Sequence, residues 1–198
     1  MQASDEEKRN RILEATIRIF NREGLKFTMD DLAKELGMSK KTIYAVFSDK
    51  EMLLLAMADH CFDSIRTEKE KVLLRPDLST AEKIRMLLSA MPETYLQIDL
   101  RQLYILRDRF PEVYRHVEER LDSDWEPAIG LLQKGMEEGV LRRFSIPVFR
   151  TMFQSTLSRF FQQDILVRCG LTYQEGLLEV IDLLMAGILS RGAVPDGV

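Results

Sequence analysis

Residues 39–44 set Ser39, Lys40, Lys41, Thr42 and Tyr44 around a single aliphatic residue, Ile43, and Lys50 follows shortly after. Hydroxyls, ammonium groups and a phenol packed this closely are donors suited to anionic oxygens and to the polar edges of nucleic-acid bases. Residues 39–50 carry Lys40, Lys41 and Lys50 against Asp49 alone, whereas the net charge of the chain is -4. A local basic island on an otherwise acidic protein fits nucleic-acid contact at one place and excludes a broadly basic nucleic-acid coat.

Other chemistry finds little support. The only histidines are His60 and His116 and the only cysteines Cys61 and Cys169, with no spacing suited to a zinc site. There is no glycine-rich phosphate loop and no nucleophile elbow. Glu118, Glu119, Asp122, Glu137 and Glu138 read as solvated faces. Neither catalysis nor a metal or cofactor is expected. Two distant cysteines do not make a disulfide framework, and no apolar run approaches the ~20 residues of a membrane span, so a cytoplasmic protein without membrane contact is expected.

The elements that would hold the basic island read as helices. Apolar residues recur at three- and four-residue intervals, with no sustained two-residue alternation. Capping boxes are expected at Ser4/Glu7, Ser48/Glu51, Ser79/Glu82 and Thr172/Glu175, and Thr28 and Ser39 are further N-caps. Gly24, Gly37, Gly139 and Gly170 are placed as stops. The pattern predicts helices near 5–23, 28–36, 39–46, 48–73, 80–97, 101–109, 111–138, 146–168 and 173–190. Pro127 makes the segment 111–138 either one kinked helix or two. The helix over 48–73 would be about 36–39 Å long.

The first three helices carry apolar stripes too small to stand alone: Ile12, Ala15, Thr16, Ile19 and Phe20; Met29, Leu32, Ala33 and Leu36; Ile43, Val46 and Phe47. They must pack on one another. Ala33 permits a close crossing, Gly37 a positive φ, Met38 a plug at the corner and Ser39 a cap for the next helix. That is a helix-turn-helix over residues 28–50, with residues 39–44 opening the recognition helix. Lys50 stands in the first turn of the fourth helix, where the dipole disfavours a cation. A phosphate bridging it to free N–H groups would remove the conflict, and Thr28 could hold a phosphate in the same way. The expected DNA contacts are therefore Thr28, Ser39, Lys40, Lys41, Thr42, Tyr44 and Lys50.

The run TMDDLAKELGMSKKTIYAVFSDKEML, from Thr28 to Leu53, resembles the signature of the TetR family of bacterial transcriptional regulators. The matching positions are Thr28, Ala33, Gly37, Ser39, Ile43, Tyr44, Phe47, Lys50, Glu51 and Leu53. Where the family often has an aromatic or polar residue after the tyrosine, this chain has Ala45. The resemblance is strong over residues 12–54 and elsewhere extends only to the number and length of helices.

It implies an all-α fold of about nine helices: a helix-turn-helix head over 1–50, joined by a long fourth helix to an effector-binding and dimerisation domain over 51–198. It implies a homodimeric repressor on a palindromic double-stranded operator, released by a small apolar or amphipathic effector. Met91, Tyr95, Leu103, Tyr104, Phe110, Tyr114 and Trp125 fall on the helices that would line the effector cavity. The last two expected helices are apolar around much of their circumference, and a two-fold four-helix interface would bury Phe153, Leu157, Phe160, Phe161, Ile181, Leu184 and Ile188. The competing reading is a helical protein-interaction module that keeps the head without binding an operator.

Overall fold

The computed structural model describes residues 2–92 and 101–190, and the side chains of these except 2–4, 101–104 and 161. The described chain divides into two compact units, residues 1–63 with 93–120 and residues 64–92 with 121–198. The division falls inside the fourth helix rather than at residue 50.

The first unit begins with α1 (Gln2–Glu23), a 3-10 turn (Gly24–Lys26), α2 (Met29–Leu36) and α3 (Lys40–Tyr44). Then come the start of α4 (Lys50–Leu73), α6 (Arg101–Arg109) and α7 (Pro111–Leu121). The second unit takes in the end of α4, then α5 (Thr80–Ser89), α8 (Glu126–Glu137), α9 (Ile146–Gln162), α10 (Ile165–Cys169) and α11 (Tyr173–Ile188). Among the described residues there is no strand, only an isolated antiparallel bridge between Leu141 and Leu189. The expected helix over 111–138 is two helices. Asp124 turns the chain at φ 58° and Pro127 sits in the first turn of α8, where its missing N–H costs nothing. The expected helix over 146–168 is likewise divided, into α9 and α10.

The caps show how local chemistry sets these boundaries. Thr28, Ser79 and Thr172 each accept from the backbone N–H three residues on, and the acid there accepts from the cap backbone in return. The cap hydroxyl donates to the same carboxylate: that bond and then the cap backbone N–H hold Asp31 and Glu82 below the ordinary carboxylate range, and the Thr172 backbone N–H and then its hydroxyl do the same for Glu175. Two expected boxes do not form. Ser4 lies within α1, which starts earlier. At α4 the cap slips by one residue: Asp49 Oδ1 accepts from the Met52 N–H at 2.8 Å, and the Ser48 hydroxyl donates to its other oxygen at 3.0 Å. A carboxylate is the stronger acceptor for a helix N-terminus, so Asp49 displaces the serine.

The core of the first unit is one cluster. Ile12, Ala15 and Ile19 of α1 meet Leu32 of α2, Ile43 of α3 and Leu53 and Leu54 of α4, all fully buried. Leu106, Val113 and Tyr114 join the same cluster from α6 and α7. In the second unit α5 packs on α8 and on α11, and α11 on α9. Ile84, Leu87, Leu132, Leu141 and Ile181 are among its fully buried residues. A Cβ on Gly176 would come within 2.5 Å of Leu166 Cδ2, so a larger residue there would have to displace the end of that buried leucine side chain.

Candidate nucleic-acid interface

The turn between α2 and α3 sets the site. Gly37 adopts φ 62° and ψ 30°. Its N–H donates to Lys34 O at 3.2 Å and the Met38 N–H donates to Ala33 O at 3.0 Å. These two bonds satisfy the last carbonyls of α2 and fix the angle at which the chain leaves it. The guanidinium of Arg11 donates to a further free carbonyl, Leu36 O, at 3.3 Å. No atom lies within 4 Å of a Cβ placed on Gly37, so the requirement for glycine is purely one of backbone conformation. Gly37→Ala is therefore expected to cost about 1–2 kcal/mol, and Gly37→Asn less, since asparagine tolerates this region better. Chemical denaturation of the two variants, side by side, checks the order.

Ser39 then starts α3. Its Oγ accepts from the Thr42 N–H at 3.1 Å and lies 2.8 Å from Thr42 Oγ1. The helix has five residues, too few to persist alone, and Ile43, at 0% exposure, pins its inner side to the core. Its outer side shows Lys40, Lys41 and Tyr44, the last 45% exposed. Lys40 Nζ lies 2.5 Å from Asp30 Oδ2 on α2. Both partners of that pair are exposed, so it contributes only about 0.2–1 kcal/mol and a phosphate can compete for the lysine. Among the described residues Lys41 has no anionic partner.

Thr28 and Lys50 are placed differently from the rest. The Thr28 hydroxyl donates to Asp31 Oδ2 at 2.6 Å and accepts from the Asp31 N–H at 3.2 Å, so it is occupied by the cap. Lys50 points back into the head. Its ammonium donates to Leu25 O at 2.8 Å and to Phe27 O, and lies 4.0 Å from the centre of the Phe27 ring. Burial and then the nearby Arg109 lower its pKa below the ordinary lysine value, with Asp31 acting the other way. The conflict with the helix dipole is thus met by carbonyls of the 3-10 turn and its exit. This lysine finds acceptors within the chain where its place in the sequence suggested a phosphate.

A groove of about 550 Å³ lies beside the end of α3. Its walls include Arg9 of α1, Tyr44, Phe47 and Ser48, Met52 and Asp59 of α4, and His116 of α7. The guanidinium of Arg9 lies 4.9 Å over the Phe47 ring. His116 Nε2 lies 2.8 Å from Asp59 Oδ1, and Arg120 donates to Asp63 at 3.0 Å. These pairings join residues far apart in sequence, and no local spacing signals them.

The head matches the family model for bacterial regulatory proteins of the tetR family over residues 12–57. Its helix-turn-helix head is that of the TetR family. The protein is a transcriptional regulator with a helix-turn-helix DNA-binding head. The HTH-type transcriptional regulator YvaF of Bacillus subtilis is 24% identical to it over 178 residues, 90% of this chain and 94% of that protein. An HTH-type transcriptional regulator of Mycobacterium tuberculosis is 30% identical over 88 residues, 44% of this chain and 38% of its own length. The fold is shared with a transcriptional regulator from Saccharomonospora viridis solved in complex with choline, at 20% identity and a TM-score of 0.73, covering 94% of this chain and 100% of that one. A TetR transcription regulator from Haloarcula marismortui has a TM-score of 0.71 at 17% identity, covering 93% and 100%.

The residues expected to line an effector cavity are divided between the two units of the chain. Phe110 and Tyr114 pack on the core of the head in the first unit. Met91 and Trp125 belong to the second, where Trp125 is buried edge-on against Phe153 at 5.6 Å and lies beneath the Arg150 guanidinium at 5.5 Å. Trp125 is a packed core residue of its unit, and of this pair Met91 alone is half-buried. Tyr95 lies outside the described residues, as do the side chains of Leu103 and Tyr104.

The expected dimer residues require a correction. Phe153, Leu157, Phe160, Ile181 and Ile188 are buried within the protomer, where α9 and α11 face each other, and Leu184 is half-buried. The Phe161 side chain lies outside the described residues. Among the described residues, the large apolar side chains left exposed on these helices are Val148 and Met152 of α9 and Leu183 of α11, at 56%, 54% and 76% exposure. Among the described residues, no group of three or more histidine, cysteine, aspartate and glutamate side chains could hold a metal ion. No described helix is long and apolar enough to cross a membrane.

Proposed function

We propose that the chain acts in the cytoplasm as a homodimeric repressor. Each protomer lays α3 in the major groove at one half of a palindromic double-stranded operator, and a small apolar or amphipathic effector releases it. The observation that carries the DNA contact is the two-sidedness of α3. Ile43 is sealed in the core while Lys40, Lys41 and Tyr44 stand in solvent, with Ser39 and Thr42 at the start of the helix. Lys50 and Thr28 then act as positioning groups that hold the turn before α2 and the start of α2 itself. They touch DNA only if their bonds within the chain are exchanged for phosphate.

The exposed stripes of α9 and α11 suit a two-fold contact. Val148 and Met152 stand beside Ser155, and Leu183 beside Ala186 and Gly187, whose small side chains allow close helix approach. The structural neighbour solved with choline supports a small-molecule effector for this fold. Coupling of about 1–3 kcal/mol would weaken operator binding about 5- to 150-fold.

The test begins with an operator selected from a random duplex library on the wild-type protein. Lys41→Ala is then expected to weaken binding evenly across the recovered sequences and to lower the slope of log affinity against log salt by about 0.9 for each phosphate left without its cation. Binding that is indifferent to salt and to Lys41 would instead favour a protein-interaction module.

A further inference from the structure

We propose that Arg9 of α1 is a DNA-backbone contact that extends the recognition surface beyond α3. The proposal rests on the reading of α3 as the DNA-facing helix, and it adds a residue from a different helix.

Arg9 lines the same groove as Tyr44 and Ser48, the residues through which the recognition segment leaves α3. The major groove of DNA is about 12 Å wide, with phosphates along both rims, so a helix lying in it brings its flanks close to a rim. Tyr44 is on such a flank. An exposed cation on the wall that it shares is within side-chain reach of the same phosphates.

Arg9 is also available, whereas each of the other described cations of α1 is already engaged. Lys8 pairs with Asp5 at 3.4 Å, and Arg11 donates to Leu36 O at 3.3 Å. Arg18 and Arg22 reach Glu35 at 3.9 and 3.1 Å. Arg9 has no carboxylate partner among the described residues. The one acid in its groove, Asp59, meets His116 at 2.8 Å and Arg120 at 3.8 Å, which draws its charge away.

The side chain is oriented for a phosphate as well. The Arg9 guanidinium lies 4.9 Å over the Phe47 ring, and Phe47 is itself 3% exposed and fixed in the core. A guanidinium stacked on a ring keeps its N–H edge free, in the planar fork that matches a phosphate. Less side-chain freedom then has to be given up on binding than for an unsupported lysine.

The probe is a duplex of about 30 base pairs recovered by selection on the wild-type protein, long enough for two half-sites a helical turn apart. Arg9→Gln keeps the stem and removes the charge. It is expected to lower the log–log salt slope by about 0.9 per protomer, with affinity falling evenly across sequences. Arg9→Lys is expected to keep the slope while binding more weakly than wild type, because the fork is gone. Melting temperatures of the free proteins should stay close to wild type. A wild-type slope for Arg9→Gln, with Lys41→Ala lowering it, overturns the assignment of Arg9 and leaves the α3 reading intact. So does a lowered melting temperature with an unchanged slope, which would make the stack on Phe47 purely structural. If neither variant changes the slope, the α3 reading fails and Arg9 falls with it.

Discussion

Ile43→Ala is expected to cost about 2–5 kcal/mol of stability in the first unit and to abolish specific operator binding. The size follows from where the side chain sits. Ile43 is fully buried in the cluster that holds Ile12, Leu32, Leu53 and Leu54, and truncation leaves a cavity among residues that cannot all move inward. The effect on binding is larger than the stability loss alone implies. α3 has five residues, and Ile43 is the only one of them buried. Without that anchor the helix frays, and Lys40, Lys41 and Tyr44 lose their common face. Ile43→Val should cost about 0.5–1.5 kcal/mol and keep most of the affinity. Denaturant unfolding and operator titration of both variants provide the measurement. A loss below ~1 kcal/mol for the alanine variant would mean that α3 is held by something other than this side chain.

Leu183→Glu should leave the protomer folded and separate the proposed dimer, lowering operator affinity by about 10²–10⁴-fold through loss of the second half-site. Leu183 is 76% exposed, so the substitution alters little within one protomer, where surface changes stay within about 0.5 kcal/mol. In a two-fold interface the same glutamate is desolvated twice, against its own copy. Ile181→Glu provides the contrast. Ile181 is fully buried, so that variant is expected to unfold the second unit rather than yield a folded monomer. Sedimentation and circular dichroism separate the two outcomes. A Leu183→Glu protein that remains dimeric would remove this face of α11 from the interface.

Some features were legible because their physics is local. A serine or threonine with an acid three residues on predicts a cap, and Ser79 and Thr172 form the boxes that their spacing implies. A glycine between two short amphipathic runs predicts a left-handed residue, and Gly37 adopts φ 62°. The stripe Ile12, Ala15, Ile19, Leu32, Ile43 predicts three helices sharing one core, and those residues are its centre. Caps compete over only one or two residues, which is why Asp49 could replace Ser48.

What depended on packing between distant segments was not legible. Periodicity marks Phe153, Ile181 and Ile188 as apolar but cannot say which neighbour covers them. Within the protomer α9 and α11 cover each other's stripes, and among the described residues the large apolar side chains left outside are Val148, Met152 and Leu183. Charge alone made Lys50 a candidate for phosphate, but the acceptors it meets belong to Leu25 and Phe27. The same holds at the DNA-facing site. The type and order of residues 39–44 by themselves determined a recognition helix with donors on one side. Only the tertiary structure decided which cations remain free, since an ammonium or guanidinium within hydrogen-bond distance of a carboxylate or carbonyl is already engaged. By that criterion Lys41 and Arg9 stand open, while Lys50 is turned inward.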